Sequence, residues 1–172
     1  MAFAEAVQAA AAEEVGAAVG MTPEMESFMR SYLYAYILRH NGASIQELTQ
    51  VVVDAEGENK DQVDALQTRF DHWQEVRKPA IAHEESVRLG NAVALTAYAL
   101  AGIRNVRWYT IGESCPYCRS LDGRVVSTNS AFLDKDQDFQ PDGAEKPLRP
   151  SRVIKHPPAH AGCDCHIIAE MG

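Results

Sequence analysis

Apolar positions recur at helical spacing through residues 3–101 and change to a shorter, alternating pattern after Gly102. The Ala-rich run 3–19 favours helix by propensity, and Gly16 and Gly20 fray or end it, so residues 1–21 read as a flexible N-terminal arm that orders on a partner. Thr22-Pro23 is a cap and first-turn pair, and Met25, Phe28, Met29, Tyr32, Tyr36 and Ile37 then share one face until Asn41-Gly42 ends the helix. That methionine and aromatic stripe reads as core or partner-helix packing. Ser44 and Glu47 form a capping box for a short third helix that runs to Val53, with Gly57 as its end. A fourth helix over 59–77 aligns Val63, Leu66, Phe70, Trp73 and Val76; Pro79 breaks or kinks the chain there. A fifth over 80–101 carries Ile81, Val87, Leu95 and Tyr98, and Gly102 closes it. Residues 105–111 are β-branched and aromatic in alternation and read as a strand, Asp122-Gly123 as a tight turn, and 124–126 as the returning strand. Residues 127–158 lack periodicity and form a long functional or partner-ordered loop, and 165–169 supply a closing strand. The fold class is α+β, a mostly helical region over 22–101 followed by a small β-rich module over 102–172.

Composition adds constraints. The chain has 172 residues, 46% hydrophobic and 23% charged, enough for one core of ordinary size. No apolar run reaches the roughly eighteen residues that cross a bilayer, and the first residues lack the positive charge of a secretion signal. The expectation is a soluble, intracellularly made protein with no membrane partner, whose four cysteines stay reduced. The net charge of -8 lies wholly in residues 1–103, with 7 basic and 15 acidic side chains; residues 104–172 balance at nine of each. The helical region therefore repels nucleic acid, whereas Lys146, Arg149, Arg152 and Lys155 form a run without an acid that reads first as a solvated loop and second as a weak, salt-dependent DNA contact.

The chemistry concentrates in two clusters. Cys115-Pro116-Tyr117-Cys118 places two thiolates within reach of one ion, and His160, Cys163 and Cys165 supply a second set, bounded by Pro157, Pro158 and Gly162. Together they fit one structural zinc ion (Zn2+) stapling a module too small for an ample core. Five donors compete for four places: Cys115, Cys118 and Cys165 are favoured, with His160 or Cys163 as the fourth. His156 and His166 read as surface or supporting histidines, and Glu84 and Glu85 as solvated acids at a helix start. Free thiols or disulfides are the plain alternative. Two enzyme readings compete as well. The Cys-Pro-Tyr-Cys sequence is the glutaredoxin tetrapeptide, but Ser120 to Gly123 reads as a turn where a redox fold would begin a helix. His83-Glu84-Glu85 with the cysteine pair imitates a zinc deaminase, but the proline lies inside the pair and the second cluster is left without a role. No acid, base and nucleophile are arranged for turnover, so the reading is non-enzymatic.

In their order along the chain, Glu85, Asn91, Trp108, Cys115, Cys118, Asp122, Gly123, His160, Cys163 and Cys165 resemble the motifs of the phage Mu protein F-like head morphogenesis family. The similarity spans about half the chain. Ala161, Asp164 and Glu84 depart from the family's usual Pro, Arg and Thr; an acid between the last cysteines weakens local attraction to phosphate. The resemblance implies a minor capsid protein of a tailed phage or prophage, present in few copies, made in the host cytoplasm and placed in the virion at the capsid interior or portal vertex. Its implied partners are the portal protein, the major capsid protein or both. Glu85, Asn91 and Trp108 would then brace a helix against the metal module.

Overall fold

A computed structural model describes residues 2–16, 20–112 and 114–171. Helix dominates, and a three-stranded antiparallel sheet lies near the C-terminus, an α+β arrangement. In chain order the elements are α1 (Ala2–Val15), α2 (Pro23–Gly57), α3 (Gln62–His72), a π turn (Trp73–Arg77), α4 (Lys78–Leu100), β1 (Asn105–Tyr109), α5 (Pro116–Leu121), β2 (Val125–Ser127) and β3 (His166–Glu170). Contacts divide the chain into two units, Pro23–Ala82 and the combination of Met1–Thr22 with His83–Gly172. The sequence placed its boundary at residue 102 instead. Most of α4 belongs with the sheet.

The unit Pro23–Ala82 is a helical hairpin held largely by polar contacts. Glu47 on α2 accepts from Arg69 Nη1 at 2.9 Å and Arg77 Nη1 at 3.2 Å, and Arg77 Nη2 reaches Ser44 Oγ at 3.0 Å. The Arg77 guanidinium also lies 4.2 Å from the Trp73 ring centroid. Three local expectations change here. Asn41-Gly42 does not end a helix: α2 runs through it, because Ser44 bonds back to the His40 carbonyl at 2.6 Å instead of capping a new helix. Asp61 caps α3 by accepting from the Val63 and Asp64 N–H groups, so that helix starts three residues later than the periodicity suggests. Pro79 does not break the chain. Its missing N–H would leave one carbonyl unpaired, and the preceding turn widens so that Lys78 N–H bonds to the Trp73 carbonyl.

The second unit contains the main core. Val106 and Trp108 of β1 and Ile167 of β3 are buried with Val93, Ala97 and Tyr98 of α4 and Leu121 of α5. The sheet order is β2-β1-β3, with Val106 opposite Val126 on one side and Ala169 on the other, and Trp108 opposite Ile167. Gly102, at φ +80°, ends α4 as expected, with Ile103 N–H returning to the Tyr98 carbonyl at 2.9 Å.

The loop 127–158 contributes Phe132, Leu133 and Ile154 to the core. Phe132 stacks edge-on against Trp108 at 5.0 Å between centroids, and Leu133 pairs with Ile154 across an isolated bridge. The loop thus carries part of the core itself. The N-terminal segment is also packed over its described residues. Ala4, Gln8 and Ala11 are buried at helical spacing on α1, and Glu14 accepts from the Ala169 N–H at 2.8 Å while pairing with the Tyr98 hydroxyl. Of the expected arm, residues 1 and 17–19 lie outside the described residues.

Candidate metal centre

β1 and α5 fix the first pair of thiols. Cys115 is extended (φ -65°, ψ 164°) and caps α5, its Sγ accepting from the Cys118 N–H at 3.5 Å, with Pro116 in the first turn where no N–H is needed. One turn on, Cys118 is buried. The helix stops at Asp122 and Gly123, the latter at φ +73°, and Gly123 N–H bonds to the Trp108 carbonyl at 2.9 Å, tying the turn to β1. A helix therefore does follow the first cysteine, contrary to the turn expected from sequence, but it is only six residues long.

The second set comes from the approach to β3. Pro157, Pro158 and Ala159 are buried, and the chain then turns through Gly162 (φ +73°), with Cys163 N–H bonded to the His160 carbonyl at 3.3 Å. Cys163 and Cys165 are alternate residues entering a strand, so their side chains share a side. Both are buried.

These segments bring all five expected donors together. Cys115 Sγ lies 3.0 Å and Cys118 Sγ 3.3 Å from His160 Nε2, and Cys118 Sγ lies 3.7 Å from Cys163 Sγ. The donors form two compact triads, Cys115-Cys118-His160 and Cys118-Cys163-Cys165, with the ligand atoms of each within 4.8 Å of one another. All four cysteines are free thiols. The spacing suits a metal, since sulfurs at about 2.3 Å from a tetrahedral ion stand about 3.8 Å apart. His160 is set for the task too: Nδ1 donates to the Ala161 carbonyl at 2.8 Å, which fixes the tautomer and leaves the Nε2 lone pair facing the thiols. The cluster could hold a metal ion. Cys115, Cys118 and Cys165, the trio favoured by sequence, are not one of the compact triads.

The electrostatics favour a cation. Hydrogen bonds from Cys118 and then Cys165 push the Cys163 thiol far down. The same contacts with Cys163 and Cys165 drive Cys118 strongly upward. Cys165 receives a favourable hydrogen bond from Cys118, but donation to Cys163, burial and the Cys163 charge outweigh it and push it up to about 12. At the outer end burial opposes ionisation of Cys115, yet the Cys118 contacts and His160 bring its pKa down. Several thiolates cannot coexist so closely until a cation joins them.

Two core residues orient the site from behind. Asn91 of α4 donates to the Cys165 carbonyl at 3.1 Å and accepts from the Ile167 N–H at 2.8 Å. The buried Trp108 indole N–H has no oxygen or nitrogen acceptor among the described residues; it lies beside Cys165 and favours its thiolate.

Other candidates fall elsewhere. His156 donates from Nδ1 to the Pro157 carbonyl at 2.7 Å, and burial holds its pKa down to about 4. His166 packs against the Tyr109 ring at 4.9 Å. His83, the ligand a deaminase would need, pairs instead with Asp164 at 3.0 Å, and no triad includes it. Glu84 and Glu85 are not solvated helix-start acids. Both clamp Arg88, and the Glu85 and Arg88 side chains are only 11% and 12% exposed. The Glu84-to-Arg88 spacing was a readable signal of that pairing. In the basic run, Arg149 forms a two-pronged pair with Asp138 and Arg152 donates to the Pro158 carbonyl at 3.3 Å, whereas Lys146 and Lys155 are exposed. Among the described residues no helix is long and apolar enough to cross a membrane. Compared with protein families, with curated proteins and with solved structures, the chain matches none.

Proposed function

We propose that this chain is a zinc-stapled, non-enzymatic assembly protein of a tailed-phage or prophage head, akin to the phage Mu protein F-like group, acting beside the portal or major capsid protein in the virion. The observation that carries the reading is convergence. Of the ten residues that bear the resemblance, seven meet at one site: Asn91 from α4, Trp108 from β1, the Cys115 and Cys118 pair at α5, and His160, Cys163 and Cys165. Residues in one order that also share one place support a common architecture better than the order alone.

Zinc is the ion this donor set suits best: four thiols and an imidazole, without a carboxylate, favour a borderline-soft cation. When bound it supplies a cross-link between α5 and the approach to β3. The protein's residues do the rest. Asn91 holds the Cys165 backbone, Ala161 orients His160, and the core of loop 127–158 keeps the two halves in register.

Phosphate contact is the weaker part of the reading, since Arg149 and Arg152 already have protein partners. The full chain, co-expressed with its neighbouring portal and major capsid proteins, should co-purify with at least one of them and retain zinc. Failure to associate with either overturns the assembly role. Absence of metal in protein made in zinc-supplemented medium overturns the staple.

One observation favours a thiol-disulfide reading: Cys115 is a half-buried, helix-capping thiol with a lowered pKa. Against it, the second thiol, Cys118, is buried among Cys163 and Cys165, and the antiparallel order β2-β1-β3 contains no βαβ unit. Disulfide reductase activity of metal-free, reduced protein separates the two; measurable turnover would replace the staple with a redox role.

A further inference from the structure

We propose that α2 is a dimerisation helix: two copies of this chain pair their α2 helices antiparallel about a twofold axis at Ile45. The contact uses α2 alone and is independent of the metal-binding reading.

Burial along α2 is uneven. The helix has 35 residues, and only Met25 and Ala55 among them are fully buried. A helix in water draws most of its stability from packing an apolar face. One face has neighbours within the chain, where Phe28, Met29, Tyr32 and Tyr36 are half-buried. Another face has none to match its character: Tyr34, Leu38 and Ile45 are 66%, 56% and 66% exposed. Scattered exposed apolar side chains are ordinary, but an ordered row of them marks an interaction surface.

The row has a symmetric spacing. Tyr34, Leu38, Asn41, Ile45, Thr49, Val52 and Glu56 follow at intervals of four, three, four, four, three and four, and all are exposed except the half-buried Val52. Such intervals keep side chains on one helix face and form the seam of a coiled coil. The series is identical in both directions from Ile45, so a second copy laid antiparallel meets it member for member, as a twofold contact requires. Ile45 packs on its counterpart, and Leu38 on Val52. Asn41 faces Thr49, whose hydroxyl proton goes to the Ile45 carbonyl at 2.8 Å and whose oxygen is left to accept from the Asn41 amide. Tyr34 sets a hydroxyl donor opposite the Glu56 carboxylate. Sliding the helices by one turn would put Leu38 against Glu56, so the polar pairs fix the register.

Charge selects a second copy as the occupant. Residues 27–46 carry Arg30 and Arg39 and no acid, whereas residues 47–64 carry Glu47, Asp54, Glu56, Glu58, Asp61 and Asp64 against Lys60 alone. Parallel pairing would set acid beside acid. Antiparallel pairing lays the cationic half of each copy along the anionic half of the other, and does so twice.

Sedimentation equilibrium of the full chain should show a monomer–dimer equilibrium in the micromolar range. Ile45→Glu puts two carboxylates on the axis and should weaken the dimer by about tenfold or more, with helical circular dichroism unchanged because Ile45 is exposed. Leu33→Glu, at a residue of α2 that is exposed but off the row, should associate like the parent. Leu38→Glu should also yield monomer, and adding Val52→Lys to the same chain should bring the dimer back, since the new opposite charges meet across the axis. A monomeric parent, an assembly larger than a dimer, equal losses from Leu33→Glu and Ile45→Glu, or a double variant no better than Leu38→Glu alone overturns the proposal.

Discussion

Asn91 donates from Nδ2 to the carbonyl of Cys165 at 3.1 Å, a bond between residues 74 positions apart that joins the middle of α4 to the last thiol of the metal cluster. The same side chain accepts from the Ile167 N–H, so a single buried amide serves both the ligand's backbone and the first turnward N–H of β3. Replacing Asn91 with Ala strands a carbonyl and an N–H in the core, at about 1–3 kcal/mol each. Asn91→Ala should lower the unfolding free energy of the metal-loaded protein by about 3 kcal/mol in urea titrations and speed zinc loss to a chelator. Unchanged stability would mean that solvent reaches those groups.

Arg88 and its two acids form the next test. Removing one partner of a buried ion pair leaves charge without compensation, at about 3–5 kcal/mol. Arg88→Ala should therefore destabilise by about 3 kcal/mol, and adding Glu84→Gln with Glu85→Gln should restore at least half of the loss. A triple variant no better than the single one would place the cost in lost packing instead of stranded carboxylates.

His156 makes stability depend on pH in a definite direction. Its pKa is about 4 when folded against 6.5 as the reference for an exposed histidine, so the unfolded chain binds the extra proton between those values. Stability is fully present above pH 6.5 and falls as pH drops toward 4, by about 3 kcal/mol. His156→Gln removes this contribution. The difference in unfolding free energy between pH 7 and pH 4, measured on metal-free protein so that ligand protonation does not intervene, should shrink by about that amount.

Glu14 shields an edge. β3 is the outer strand of the sheet, and the Glu14 carboxylate occupies the Ala169 N–H that would otherwise face outward. Open strand edges invite pairing with other chains. Glu14→Ala should raise hydrogen exchange at the Ala169 amide at least tenfold and increase self-association in sedimentation runs. Protection equal to that of the parent protein would show that other contacts cover the strand.

The parts of this molecule that were legible in the sequence are those where local chemistry and tertiary context agree. Gly102 ends α4 because the left-handed closing position and the last apolar residue coincide; the strand around Val106 and Trp108 alternates because one face packs on Phe132 and α4. Asn41-Gly42 misled because a mid-helix glycine costs only about 1 kcal/mol, and α2 continues through it to carry Ser44 and Glu47 to Arg77 and Arg69. α5 is too short to show a period, so its start at Cys115 was hidden. The neighbourhood of the five donors was readable from motif spacing, but their division into two triads was not. It depends on the turn at Gly162 and the tautomer of His160, which spacing does not encode.

Within the long loop, Phe139 and Leu148 exchange both of their backbone hydrogen bonds, at 3.0 and 2.9 Å. That rung closes the excursion between them at its base, and Tyr117 secures the near side by donating to the Lys146 carbonyl at 2.6 Å. Residues 140–145 thus form a closed excursion, and Gly143, at φ +84°, turns it against the ring of Pro116, the residue that follows Cys115. The tip of the long loop is in this way tied by packing to the helix that carries the first pair of thiols.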